Sequence, residues 1–128
     1  ANVQNGQLHA HIKHQNMEFI QRRRAELFSK STSAEKSVCR ILDTLGIRYI
    51  RQYPIKTPRK LFYADIYIPS MRLVIEVDGG YHFTTANGGW TGIGRHAYSI
   101  YRIRNKDAYS PMRVKMLIKK HLRRNIMR

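Results

Sequence analysis

Two short apolar runs separated by a Pro-Ser pair are the most regular feature of the hydrophobic pattern. The run over 61–68 alternates polar and apolar positions, as a strand with one exposed face does. The run over 72–77 contains LVIEV, a nearly continuous β-branched stretch that is typical of a strand buried on both faces. The pattern therefore predicts two adjacent strands joined by a short connection.

A helix is predicted before these strands. The sequence TSAE over 32–35 has the form of a capping box, in which Thr32 caps the helix and Glu35 reaches back to it. Apolar residues then recur at helical spacing over 38–45, and Gly46 follows as the residue that ends the helix.

Weaker patterns predict the remaining elements. They are a helix over 8–28, a strand over 47–53, a basic connection bracketed by Pro54 and Pro58, a long glycine-rich loop over 84–94, a basic helix over 95–109 that Pro111 ends, a short strand or helix over 112–118, and a basic helical tail over 119–128.

Length and cysteine content limit the organisation of the chain. Its 128 residues suffice for one domain, and we predict a basic helical arm over 1–30 followed by a catalytic domain over 31–128. The single cysteine, Cys39, cannot form an internal disulfide, which favours an intracellular, reducing compartment. The sequence leaves open whether the protein is a monomer or a homodimer.

Positive charge dominates the composition. The chain has 24 Lys and Arg against 8 Asp and Glu, a formal net charge of +16, which predicts a polyanionic partner. No apolar run is long enough to span a membrane, and no strongly amphipathic membrane helix stands out. Nucleic acid is therefore the expected partner.

The few acids are unevenly placed. Asp65, Glu76 and Asp78 lie within 14 residues, on or beside the two predicted strands. Glu76 and Asp78 are two residues apart and so share a face, and Asp65 can reach the same edge from the neighbouring strand. Three like charges repel unless a cation lies between them, and a hard divalent ion with oxygen ligands is the natural choice.

Several other residues carry two interpretations each. Glu35 either caps its helix or reaches the acidic edge from the first turn. The triplet of Arg22, Arg23 and Arg24 is either a solvated helix face or a phosphate contact. Trp90 either fills the core or stacks on bases.

Four segments together resemble a known superfamily: residues 33–55, ADIYIP over 64–69, LVIEVDGGYH over 73–82 and RNKDAY over 104–109. They are similar to PD-(D/E)XK nucleases, and most of all to very-short-patch-repair endonucleases and the homing endonucleases built on the same domain. The resemblance covers roughly 31–110. It implies an α/β, three-layer, restriction-endonuclease-like fold with a mixed central sheet flanked by helices, and Mg²⁺-dependent cleavage of DNA.

The resemblance also implies roles for individual residues. Asp65 matches the first acid of the motif and Glu76 the second, whereas Asp78 stands where the superfamily usually has lysine. His82 then becomes the candidate general base, with a structural, hydrogen-bonded histidine as the alternative. Mg²⁺, or Mn²⁺ in its place, is expected on Asp65, Asp78 and Glu76, with the Val77 carbonyl as a further ligand.

Basic residues flanking the acids are expected to contact DNA phosphates, which positions the substrate without reading its sequence. They are Lys60, Arg95, Arg102, Arg104 and Lys106. The alternative function is a non-catalytic nucleic-acid-binding module on a degenerate nuclease fold.

Overall fold

The computed structural model describes residues 17–56, 61–77 and 99–126, of which residues 125 and 126 are described by their backbone alone. The elements in chain order are α1 (Met17–Ser29), α2 (Ser33–Thr44), β1 (Ile50–Lys56), β2 (Leu61–Ile68), a 3₁₀ turn (Pro69–Met71), β3 (Leu73–Val77), β4 (Ser99–Ile103), α3 (Asn105–Ala108) and α4 (Pro111–Ile126). In this part of the chain, no helix is both long and apolar enough to cross a bilayer.

The strands form one four-stranded sheet in the order β1-β2-β3-β4. β1 and β2 pair antiparallel, as do β2 and β3, whereas β4 runs parallel to β3. The sheet is therefore mixed, and helices flank it, which confirms the predicted α/β class. β3 is buried along its whole length, as its nearly continuous apolar run predicts.

The main core lies between the sheet and the helices α2, α3 and α4. Val38 and Leu42 of α2 contribute their apolar face, Ile66 and Ile75 contribute from the central strands, and Val114 contributes from α4. A second cluster includes Tyr53 and Tyr67, whose rings stack with centroids 4.3 Å apart.

The predicted hairpin and capped helix are confirmed. β2 spans the predicted residues, and β3 begins one residue later, because Arg72 adopts a left-handed conformation (φ 48°) after the 3₁₀ turn. The Thr32 hydroxyl accepts the Glu35 backbone N–H at 3.2 Å. Gly46 ends the helix with φ +71°, and its N–H donates to the Asp43 carbonyl.

The prediction that Pro54 ends the first strand is wrong. β1 continues through Pro54 to Lys56, and Pro54 pairs with Tyr63 of β2. Among the described strands β1 lies at the edge of the sheet, where a proline needs to donate no hydrogen bond to a further strand.

The predictions for the C-terminal third are also partly wrong. Residues 99–103 form β4 instead of a helix, and within the described part of the predicted helix, residues 99–109, only the single turn Asn105–Ala108 is helical. The short strand predicted over 112–118 belongs to α4, which confirms the helical alternative and begins at Pro111. Proline is compatible with the first turn of a helix, where its missing N–H costs no hydrogen bond.

The described part of the predicted arm packs on β1. Ile20 of α1 is buried, and Arg24 is only 2% exposed. The Arg24 guanidinium donates to the carbonyls of Gln52 at 3.2 Å and Arg51 at 2.7 Å. It also lies over the Phe28 ring, which Arg51 faces as well. The division into an arm and a domain stays a prediction, but α1 is joined to the sheet by buried polar contacts.

We expect Arg24→Met to lower the free energy of unfolding by about 2 kcal/mol or more, because two main-chain carbonyls lose a charged donor. Urea unfolding followed by circular dichroism measures the change. Arg22→Met is the matched control, since Arg22 is exposed on the same helix. Equal stability of the two variants would contradict the assigned role of Arg24.

Candidate active site

The carboxylates of Asp65 and Glu76 form hydrogen bonds between β2 and β3 at one end of the sheet. The pairing of Ile66 with Ile75 places Asp65 opposite Glu76. The backbone N–H of Val77 donates to Asp65 Oδ2 at 2.9 Å, and the Asp65 N–H donates to Glu76 Oε1 at 3.2 Å. These reciprocal bonds hold both side chains in fixed positions. The two acids are brought together by the register of β2 and β3, which the 3₁₀ turn between the strands sets.

Glu76 is buried. Only 3% of its surface is exposed, and burial raises the pKa of its carboxyl well above the ordinary value. The negative charge of Asp65 raises this pKa further, and Glu35 adds a smaller effect in the same direction, whereas the hydrogen bond from the Asp65 backbone lowers it.

Glu35 joins the acid pair from the first turn of α2. Burial, followed by the negative charge of Asp65, raises the pKa of the Glu35 carboxyl to about 7. Arg51 and a hydrogen bond from the Thr32 backbone lower this pKa and only partly offset the increase. The two interpretations of Glu35 are thus compatible, because one side chain takes part in the helix cap and also interacts electrostatically with the acid pair.

The chemistry of these side chains fits a divalent cation. Asp65 and Glu76 offer hard oxygen donors, and a cation between them would relieve the repulsion that raises the pKa values of Glu76 and Glu35. Within 17–56, 61–77 and 99–126, no group of three His, Cys, Asp or Glu side chains is arranged as a complete metal site. The described residues therefore supply two of the predicted acidic ligands.

Several predicted site residues lie outside the described residues, and their roles stay predictions. They are Lys60, Asp78, His82, Trp90 and Arg95. Asp78 and His82 directly follow β3 in the sequence, beyond the strand end that carries Glu76 and Val77.

Three predicted phosphate contacts lie on β4 or just after it. Arg102 is the register partner of Glu76 on the parallel strand β4. Arg104 precedes α3 as its N-terminal cap residue, and Lys106 lies within that helix. All three side chains are exposed, which is compatible with binding an external anion.

The three arginines of the triplet differ in burial and in their hydrogen-bond partners. For Arg24 the structure argues against a phosphate contact, because the side chain is buried and donates to main-chain carbonyls of β1. Arg23 forms an ion pair with Glu26 at 2.8 Å, and Arg22 is exposed. The phosphate contact stays a prediction for Arg22 and Arg23.

Gln52 is a buried residue beside the site that the pattern did not single out. It lies opposite Asp65, since the pairs Arg51–Ile66 and Tyr53–Ala64 flank this position. Its φ of 49° is left-handed, which is uncommon for a residue with a side chain. A glutamine between Arg51 and Tyr53 of a predicted strand was the only signal, and no local rule translates it into this conformation.

The fold resembles that of a solved nuclease domain. The structure matches the Homing Endonuclease I-Bth0305I Catalytic Domain with a TM-score of 0.54 and 21% sequence identity, over 71% of this chain and 94% of that one. No protein-family model matches the chain, and no curated protein matches it in sequence. The comparison shows that this chain adopts a nuclease-like α/β fold.

Proposed function

We propose that this protein is a metal-dependent DNA endonuclease that hydrolyses phosphodiester bonds, of the repair type or the homing type. The observation that carries the proposal is the reciprocal bonding of Asp65 and Glu76 at one end of the sheet, with Glu35 coupled to both. A carboxyl as buried as that of Glu76, held beside a second acid, has no evident use in a surface that binds phosphates by charge alone.

The acid pair would hold the metal. A bound Mg²⁺ supplies a Lewis acid that lowers the pKa of a coordinated water and polarises the scissile phosphate. The Val77 N–H orients the Asp65 carboxylate for this task, and Glu76 is kept from bulk water by its burial. Asp78 and the Val77 carbonyl are proposed to complete the ligand set.

Glu35 and His82 are the proposed proton-transfer groups. A carboxyl whose pKa is about 7 can both accept and release a proton near neutral pH. Glu35 is therefore suited to hold or receive a proton from water at the acid pair. His82 is proposed to share this task as the imidazole that follows β3.

DNA is the proposed substrate. The net charge of +16 favours a polyanion, and the nuclease-like fold of the solved neighbour favours DNA over other polyanions. Exposed Arg102, Arg104 and Lys106 are proposed to contact phosphates on either side of the bond that is cut.

The proposal is tested by incubating the protein with supercoiled plasmid, and with mismatched and branched duplexes, in Mg²⁺ or Mn²⁺. We expect nicked or linear product that depends on the metal and is absent in EDTA. Salt-sensitive binding without cleavage of any of these substrates would overturn the proposal and leave a non-catalytic binding module.

A further inference from the structure

A cleft of about 610 Å³ lies between β4 and α4. Its cationic lining comprises Arg102, Arg104, Arg113, Lys119, Lys120 and Arg123, and the acid Asp107 is the single opposing charge among the lining residues. Met116 and Leu117 provide an apolar floor. We call this feature the α4 cleft.

The α4 side chains of the cleft project from one side of the helix. Arg113 and Lys120 are seven residues apart, and Arg123 follows three residues later, so the three side chains lie within about 80° of one another around the helix axis. The segment from Arg113 to Arg123 is about 15 Å long at 1.5 Å per residue. This length matches about four successive phosphates of one DNA strand, at a rise of 3.4 Å each along the duplex axis.

One residue of the α4 cleft lies on the strand next to Glu76. Arg102 lines the cleft and is also the register partner of Glu76 on the neighbouring parallel strand. Adjacent strands are about 4.8 Å apart. The β4 backbone at Arg102 is therefore one strand away from the backbone of Glu76.

We propose that the α4 cleft binds the phosphate backbone of the DNA duplex that flanks the bond to be cut. This inference rests on the proposed function and adds a defined substrate surface to it. Charge complementarity favours DNA in the cleft, because six cations and one acid suit a continuous row of phosphates. An acidic protein partner is a weaker match, since the centres of protein–protein interfaces are depleted of lysine and charged residues generally.

The test compares two triple variants in EDTA, where no metal-dependent cleavage can occur. The cleft triple is R113Q/K120Q/R123Q, and the control triple K36Q/R40Q/R48Q removes the same charges from exposed positions outside the cleft. Anisotropy of a labelled duplex gives Kd as a function of KCl concentration. We expect the cleft triple to lower the slope of log Kd against log salt by about 3, roughly one per lost phosphate contact, and the control to lower it by less than about 1.

Two single variants test the same proposal in case a triple variant misfolds. Lys120 lines the cleft and Lys115 does not, although both are exposed on α4. K120Q should weaken duplex binding and lower the slope by about 1, whereas K115Q should bind as the wild type does. Circular dichroism confirms that the helical content of all variants is retained.

The outcomes separate the cleft from the catalytic proposal. Equal slopes for the cleft and control triples, or a wild type that binds no duplex, would overturn the cleft. A protein that binds through the cleft but cleaves no substrate with any metal would overturn the proposed nuclease and leave the cleft standing. If the wild type cleaves DNA and the cleft triple binds the duplex as the wild type does, the nuclease proposal stands and the cleft proposal is overturned.

Discussion

Asp65→Asn is expected to reduce metal-dependent DNA cleavage by about a thousandfold or more and to leave DNA binding intact or tighter. Under the proposed function, the loss follows from removal of a charged metal ligand, since metal catalysis supplies several kcal/mol of transition-state stabilisation and about 4 kcal/mol corresponds to a thousandfold. Binding is retained because one negative charge that repels phosphate has been removed.

The substitution is nearly isosteric. The amide oxygen of asparagine can still accept the Val77 N–H that Asp65 Oδ2 accepts at 2.9 Å. The fold should therefore be retained, and circular dichroism should show an unchanged spectrum. Single-turnover cleavage of plasmid, and duplex binding by anisotropy in EDTA, measure the two effects separately.

Asp43→Asn is the matched control. It makes the same chemical change on α2, at an exposed residue whose Oδ1 accepts the Tyr49 hydroxyl at 2.9 Å, and asparagine can preserve that bond. We expect this variant to cleave as the wild type does. Cleavage by Asp65→Asn at a rate close to that of Asp43→Asn would remove Asp65 from the active site.

The acid cluster, formed by Glu35 and the acid pair Asp65 and Glu76, is expected to make the metal-free protein less stable as pH rises. The folded-state pKa of Glu35 is about 7 against an ordinary 4.5, and the pKa of Glu76 is also raised. The folded protein therefore binds these protons more tightly than the unfolded chain. The stabilising contribution of Glu35 is complete below about pH 4.5 and is lost as pH rises through about 7. That of Glu76 is lost as pH rises through its own raised pKa. Because Glu35 is only partly buried, solvent screening reduces its own contribution to on the order of 2 kcal/mol.

The double variant E35Q/E76Q isolates this contribution from the other titrating groups. The glutamine side chain introduced in place of Glu76 can still accept the Asp65 N–H, and neither of the two new amides becomes charged. The free energy of unfolding of the variant should rise relative to that of the wild type between about pH 4.5 and pH 8, by about 2 kcal/mol or more. Urea titrations in EDTA at each pH measure the difference.

The exposed substitution Glu26→Gln is the control, since Glu26 pairs with Arg23 on the surface of α1, away from the acid cluster. Its difference from the wild type should stay flat over the same pH range. Addition of Mg²⁺ at about pH 8 should stabilise the wild type more than E35Q/E76Q, because a ligand that binds only the folded state adds to stability. Parallel pH profiles for wild type and E35Q/E76Q would contradict the coupling of these acids.

Local patterns were sufficient for the elements that carry the acids. The capping box at Thr32 and the left-handed Gly46 depend on a few neighbouring residues, so the bounds of α2 followed from the sequence. The alternation of 61–68 and the β-branched run after it placed Asp65 and Glu76 on adjacent strands. That Asp65 and Glu76 are neighbours was therefore predictable.

The C-terminal third depended on distant contacts. Ile100 and Ile103 are three positions apart, a spacing that fits a helix. Residues 99–103 form a strand because the second edge of β3 is available for parallel pairing. The sequence pattern predicts that Pro111 ends a helix, whereas Pro111 begins α4. Because the phase of α4 was not predicted, the alignment of Arg113, Lys120 and Arg123 along one cleft could not be foreseen.

Four features are evident from the sequence without the fold: the excess of positive charge, the capped helix, the hairpin and the acids in apolar strands. These features depend on composition and on interactions between close neighbours. The tertiary structure alone brought Glu35 to Asp65 and Glu76, buried Arg24 against β1 and assembled the α4 cleft from two distant segments. Desolvation and charge–charge coupling depend on what surrounds a residue in space, which is why the raised pKa values of Glu35 and Glu76 emerge only in the folded chain.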